Sequence, residues 1–389
     1  MGSEMMGLIN LQDSQTLPEL NEHRPLATVP MGGKFRLIDF TLSNMVNAGI
    51  GNVGILLSSQ SRSVLDHIRS GKEWGLARKR DGLFYLPADV EDIIHPVEGD
   101  IHSFYKNLLF VKRGHSPYIL ATSCDLVQNI DYEEVLHFHR RHNADVTMIY
   151  TRALKDKEKE GYVLEINDKD RITGINSKAE IQTGDNLYQR QILIDTEIYQ
   201  HCVRRAYAKG YKDFITDVLK RNVDRLRIFG YNYKGYVKRV DSIQSYFETN
   251  MDFLDAHTWR DIFLQDQRHI YTKIKDEAPA KYMQDQRHIY TKIKDEAPAK
   301  YMEESHVTNS LVANGCIIEG KVENSILFRK VRVGKNAVIR NSIIMQHSVV
   351  GADANLDYVV CDKNAVIQPE AELSGTREAP LCIGKCSVI

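Results

Sequence analysis

The stretch from residue 305 to 389 constrains the fold most. Short aliphatic pairs recur there between Gly, Asn, Asp and Lys, with almost no helical period. Aligning Asn309-Ser-Leu-Val312, Asn324-Ser-Ile-Leu327, Asn341-Ser-Ile-Ile344 and Asp357-Tyr-Val-Val360 gives steps of 15, 17 and 16 residues. Cys316, Val333, Val350 and Ile367 form a second column at steps of 17. A period of about three six-residue sides, with an aliphatic turned inward at each, is the pattern of a parallel β-helix. The corners (Val333-Gly334, Val350-Gly351) are expected to use Gly or Asn because the chain turns there with positive φ. A sandwich of short antiparallel strands is the competing reading, and the two phased columns favour the β-helix.

Upstream lies a second repetition of a different kind. Gln265–Met283 recurs letter for letter as Gln284–Met302, so the chain has 389 residues with the second copy and 370 without it. Each copy is polar, charged and carries one proline, Pro279 or Pro298. Loop-closure entropy grows only logarithmically with length, so such a segment doubles at small cost. Solenoids need at least three diverged units to bury a core. The pair therefore reads as a recent duplication, or an assembly error in the gene, inside a linker over 256–304.

From 8 to 255 the texture changes again. Apolar, β-branched runs (Asn52–Leu57, Tyr118–Thr122, Asp145–Tyr150) alternate with stretches such as Arg62–Arg69 and Tyr132–His139, whose apolar residues recur every three or four positions. Strand and helix in series predict an α/β domain, a mostly parallel sheet with helices on both faces. Ligands of such sheets sit at the carboxyl ends of strands, where Asp125 follows the run Tyr118–Thr122.

Composition narrows the function. The 51 Lys and Arg balance 52 Asp and Glu, which fits neither a basic nucleic-acid binder nor an acidic tail. No window approaches the roughly 20 apolar residues of a membrane span, and no charged start precedes an apolar leader. The expected location is cytoplasmic. Six dispersed cysteines without a CxxC pair fit a reduced compartment, with Cys382 and Cys386 expected as two semi-buried thiols.

The segment Val29-Pro-Met-Gly-Gly-Lys-Phe-Arg-Leu-Ile-Asp-Phe-Thr-Leu-Ser-Asn44, followed by Asn47-Ala-Gly-Ile50, closely resembles the FGGKYRIIDFxLSNxxNSGI signature of the glucose-1-phosphate adenylyltransferases (ADP-glucose pyrophosphorylases). Ile119–Asp125 resembles that family's strand ending in SGD, Lys212-Asp-Phe214 its DFG, and Gly235–Asn250 its GYWxDVGTIxSYWEAN. The resemblance spans nearly the whole chain. It implies a Rossmann-like nucleotidyltransferase domain over 8–255 and a left-handed β-helix over 305–389. It also implies adenylyl transfer from ATP to glucose 1-phosphate, with Mg²⁺ as cofactor.

That chemistry needs a Gly-rich turn around the triphosphate, carboxylates for the metal and cationic side chains. Where the family has LAGGRGTRL, this chain reads Ile9–Leu17. Leu11, Gln12 and Ser14 replace three glycines, Asp13 and Thr16 replace two arginines, and Leu26 stands where a lysine is expected. Asp125 matches the first metal carboxylate, but Arg239 falls on the second, with Asp241 two residues on. On the sugar-phosphate side, Lys178 falls on the lysine that binds glucose 1-phosphate. Val97–Ser103 resembles the YRGTADA loop, with Gly99 kept and His102 replacing an aspartate.

Framework kept and triphosphate site replaced resemble the regulatory, noncatalytic type of subunit. The expectation is therefore a catalytically impaired chain that needs no metal or other cofactor. It would bind a catalytic glucose-1-phosphate adenylyltransferase subunit, in a 2+2 heterotetramer formed through sheet-edge and β-helix surfaces. Its substrate-side candidates are Lys178, Gly99 and Asp125, for glucose 1-phosphate or another sugar-phosphate effector; no nucleic-acid or membrane partner is expected. The alternatives are an active enzyme with a weakened site, a sugar-sensing module outside glycogen synthesis, and an acyltransferase using His347.

Overall fold

The computed structural model describes residues 4–12, 17–22, 24–88, 99–153, 161–265, 267–273, 280–282 and 297–389. In the N-terminal domain, β1 (Met5–Asn10), β2 (Asn52–Leu56), β3 (Gly82–Leu86) and β4 (Tyr118–Thr122) pair in parallel, in the order β4-β1-β2-β3. These strands are near-continuous apolar runs because both faces are covered. Successive residues point to opposite faces. Leu8 and Ile119 enter one core with Tyr199 and Val203, while Ile9 and Leu120 enter another with Leu42, Val64 and Val135. The helices that supply these partners are Leu37–Asn47, Arg62–Ile68, Tyr132–Arg141 and Thr196–Ala208.

Beyond β4 the sheet becomes mixed. Short β5 (Leu126–Gln128) leaves it, and β6 (Val146–Arg152), β7 (Gly161–Ile166), β8 (Ile172–Lys178) and β9 (Asn186–Asp195) follow. β9 runs antiparallel to β4, β6 and β7, and a register shift between Tyr188 and Ile192 breaks its ladder with β6. β10 (Ile228–Asn232) adds in parallel to β6, and β11 (Val237–Arg239) pairs antiparallel with β5.

The C-terminal domain is a parallel β-helix with three faces, each a stack of short strands. Pairing runs Leu311, Ile326, Ile343, Val360 on one face and Ile318, Val333, Val350, Ile367 on another. Two sequence expectations are thereby corrected. Ile318, not Cys316, heads the second column, because the first coil has 15 residues. In the last coil Tyr358, not Asp357, takes the corner of Asn309, Asn324 and Asn341; all four have φ between 39° and 53°. Asp357 instead ends an amide ladder, Asn309 to Asn324 to Asn341 to Asp357, with steps of 3.0, 2.6 and 2.8 Å. Behind it the buried hydroxyls of Ser310, Ser325 and Ser342 accept the N–H groups of Ser325, Ser342 and Val359.

The corner glycines also have another reason than the expected one. Gly334 and Gly351 are absent from the positive-φ residues. A Cβ on Gly334 would lie 2.7 Å from Ala352 N, and one on Gly351 2.4 Å from Pro369 N. Close coil stacking, not handedness, requires glycine there.

The aliphatic pairs are explained by two cores. Val312, Leu327, Ile344 and Cys361 point into the coil, while their neighbours Leu311, Ile326, Ile343 and Val360 point out, under Phe40, Tyr246 and Phe253 of the N-terminal domain. A buried ion pair crosses the same junction, Arg24 Nη2 to Asp362 Oδ2 at 2.7 Å.

The segment read as linker is only partly one. Ala256–Phe263 is helical and buries Ile262 in the junction core. The first repeat copy then docks on the N-terminal domain. Asn47 donates to His269 O, Asn129 to Arg268 O, Lys273 to Asp66 O, and Tyr271 N to Ser43 Oγ. The second copy ends in Lys300–Tyr301, which pairs in parallel with Ile317–Ile318. The identical tail of the first copy, Ala280–Tyr282, pairs antiparallel with Ser310–Val312. All six cysteines are free; Cys382 is half-buried and Cys386 is exposed, not semi-buried as expected.

Candidate functional site

Two family-like segments hold each other. Gly32 N donates to Asn250 Oδ1 at 2.9 Å and Tyr246 Oη donates to Pro30 O at 2.8 Å, so the retained signature is framework for the junction. The site proper lies at the carboxyl ends of β1 and β4. Of the expected triphosphate turn, Asp13, Ser14 and Thr16 lie outside the described residues. Leu11 is 1% exposed and belongs to the sheet core, with its N–H on Leu56 O. Gln12 Nε2 donates to Leu57 O at 2.9 Å and its Oε1 accepts from Ser103 Oγ. Leu26, at the expected lysine, is buried in a 3₁₀ turn. The cavity lined by Asn10, Leu11, Pro25, Ala27, Ser123, Cys124 and Asp125 holds about 10 Å³, roughly one water.

Asp125, 3% exposed, sits on the floor of this site. Ser123 Oγ donates to its Oδ1. Two guanidiniums flank Oδ2: Arg190 Nη1 at 3.9 Å and Arg239 Nε at 4.0 Å. Arg239 comes from β11, beside β5, and its Nη2 donates to Tyr188 O at 3.0 Å. Arg190 comes from the irregularity in β9 and has φ 52°. A left-handed conformation costs a non-glycine residue roughly 1–2 kcal/mol, so the strand bears strain to present this arginine. The sequence reading missed Arg190. The signal was the polar triplet Gln189-Arg190-Gln191 inside an otherwise apolar strand; both glutamines are buried.

A divalent metal does not fit this arrangement. Mg²⁺ prefers octahedral oxygen coordination at about 2.0–2.1 Å and keeps several waters. Here the carboxylate that lines a cavity of about 10 Å³ has two guanidiniums within 4.0 Å. Asp241 accepts a hydrogen bond from Ser245 Oγ at 3.1 Å, at the start of the helix Ile243–Asp252. Among the described residues, no group of three or more His, Cys, Asp or Glu side chains is placed to hold a metal ion.

The sugar-phosphate candidates have local partners. Lys178 Nζ lies 2.8 and 2.9 Å from the two oxygens of Asp185, and its hydrogen bond holds that carboxyl below the usual carboxylate range. Gly99 has φ 84°, and a Cβ there would lie 2.1 Å from Lys212 O, so its conformation and the close backbone both demand glycine. Asp100 accepts from Phe214 N, joining the Gly99 loop to the DFG-like segment, where Asp213 caps the following helix through Thr216. His102 packs against Tyr207, ring centroids 5.8 Å apart. His347 is an exposed corner residue whose N–H bonds Arg329 O.

Comparison with known proteins agrees with this architecture. The nucleotidyl transferase profile matches residues 17–262, and the GlmU-like C-terminal hexapeptide profile matches 297–379, making the coil a left-handed hexapeptide β-helix. The chain is 34% identical over 384 residues to the glycogen biosynthesis protein GlgD of Bacillus subtilis (strain 168), covering 98% of this chain and 96% of that one. It is 36% identical to the GlgD protein of Geobacillus stearothermophilus, covering 100% and 98%. It is also 31% identical over 317 residues to the glucose-1-phosphate adenylyltransferase of Geobacillus stearothermophilus, covering 80% and 76%. The chain therefore belongs to the nucleotidyl transferase family, within the glucose-1-phosphate adenylyltransferase group that includes the GlgD glycogen biosynthesis proteins.

Proposed function

We propose that this chain is a regulatory, catalytically impaired subunit of glucose-1-phosphate adenylyltransferase in glycogen biosynthesis, acting through a catalytic partner. The observation that carries this reading is the pair Arg190 and Arg239 at Asp125, which lines a cavity of about 10 Å³ beside the buried Leu11. In-line transfer of an adenylyl group develops charge on phosphate oxygens that a bound metal must offset. Among the described residues, two guanidiniums beside Asp125 and a cavity of about 10 Å³ disfavour that ion. The retained framework around Gly32, Tyr246 and Asn250 supports a role in which the domain is kept for its shape.

Such a subunit changes its partner's substrate affinity or effector response only through contacts that differ between the partner's states. Sugar phosphate, held by Lys178, is the effector class this reading assigns. The test is ADP-glucose formation by the chain alone, by a catalytic subunit alone, and by the two co-expressed. The expected result is no turnover by the chain alone and an altered KM or effector response in the mixture. Turnover by the chain alone within about tenfold of the catalytic subunit, a barrier difference of only ~1.4 kcal/mol, would refute impairment. Failure of the two to co-purify would refute partnership.

A further inference from the structure

We infer that Arg190 and Arg239 are tethered counter-ions that take the charge position of a divalent metal at Asp125, so that the chain carries its own cation and holds the site closed without ligand. This deepens the reading of an impaired subunit and rests on it. Two guanidiniums supply the same two positive charges as one divalent ion, and both approach the same oxygen, Oδ2, at 3.9 and 4.0 Å. They do so from different strands, β9 and β11. The two arginines are also coupled to each other. Arg239 Nη2 bonds Tyr188 O at the start of the irregular stretch, and Ser123 N bonds Arg190 O, so the residues flanking Asp125 fix the turn that presents Arg190.

Convergence of two guanidiniums on one oxygen of a 3%-exposed carboxylate is what makes this specific. Arg190 reaches it from a left-handed φ of 52°, a conformation that favours glycine. A nearby guanidinium offsets that cost, because a buried charge left unpaired is costly. These three side chains together carry two positive charges and one negative, which disfavours a dication beside them.

The test is Mn²⁺ binding to the purified full-length chain, read by loss of the free-ion paramagnetic resonance signal. The native chain is expected to show no site at millimolar Mn²⁺. The variant Arg190→Gly with Arg239→Asp is expected to bind one ion at least about tenfold more tightly, and adding Asp125→Asn is expected to abolish that binding. Native binding that Asp125→Asn removes would overturn the inference, and so would a folded double variant that binds nothing. Should the double variant not fold, melting temperatures decide. Asp125→Asn alone is expected to lower the midpoint, and Arg190→Gly added to it to restore part of the loss; additive losses would overturn the inference. Turnover by the chain alone would refute impairment without bearing on this titration. Native Mn²⁺ binding that depends on Asp125 would refute the counter-ions without restoring turnover.

Discussion

Replacing Arg24 by leucine tests how the two domains are joined. Arg24 Nη2 and Asp362 Oδ2 are 2.7 Å apart, with side chains 8% and 5% exposed, and Arg24 Nε also donates to Leu20 O. Removing one partner of a buried pair typically costs 3–5 kcal/mol, because the other charge is left uncompensated. The low end applies here. Burial depresses the neighbouring Lys363 amine to about 7, and repulsion from Arg36 and Arg24 adds to this, while Asp362 opposes it. Without Arg24 one repulsion disappears, which favours the protonated amine of Lys363 beside Asp362. The expected loss is about 3 kcal/mol for Arg24→Leu, and within about 1 kcal/mol of native for Arg24→Leu with Asp362→Leu, which removes both charges. Urea midpoints followed by Trp259 fluorescence measure this, in a Trp74→Phe background. Trp259 packs 4.4 Å from Phe263 in the junction core, so it reports separation of the domains. A single-variant loss below about 1 kcal/mol, or a double variant as unstable as the single, would refute an ion pair acting as the interdomain lock.

Lys363 also predicts a pH dependence. Its folded value of about 7 lies below that of the unfolded chain, so between about 7 and 10 the unfolded state binds more protons and stability rises with pH, by at most ~1.4 kcal/mol per unit. Below about 7 both states are protonated and this contribution to the slope vanishes. Subtracting the urea midpoints of Lys363→Met from those of the native chain at pH 7 and 9 isolates it; equal slopes would show that the amine is not depressed. Deleting one 19-residue copy, to leave the 370-residue chain, should preserve the fold. The front half of a single copy supplies the docking residues Arg268 to Lys273, and its back half supplies the first coil strand. Because halving a loop changes closure entropy by only about 0.6 kcal/mol, the melting temperature should move by a few degrees at most. Failure of the shortened chain to fold would show that both copies are structural.

Periodicity made both domains legible. The runs Asn52–Leu57 and Tyr118–Thr122 became β2 and β4, and Arg62–Arg69 and Tyr132–His139 became helices, because local pattern and burial agree there. The coil columns were legible to within two residues. They slipped at Cys316 and Tyr358, where unequal coil lengths shift the register while the aliphatic pattern on both sides survives. At the site, the loss of the glycines and the substitution Arg239 could be read residue by residue. Arg190 was marked only by its polar neighbours Gln189 and Gln191, and its approach to Asp125 depends on a break in a long-range ladder that no local spacing encodes.

The sequence by itself therefore determined the two architectures and the duplication, since these follow from residue type and local period, while the family resemblance pointed to the expected triphosphate turn. Tertiary structure alone decided three other things. Aliphatic pairs of the coil serve two cores because the N-terminal domain covers one face. Identical Ala-Lys-Tyr tails take opposite strand directions because each meets a different neighbour. Asp125 faces two cations because strands far apart in the chain meet at the same point, and charge is felt through space rather than along the sequence.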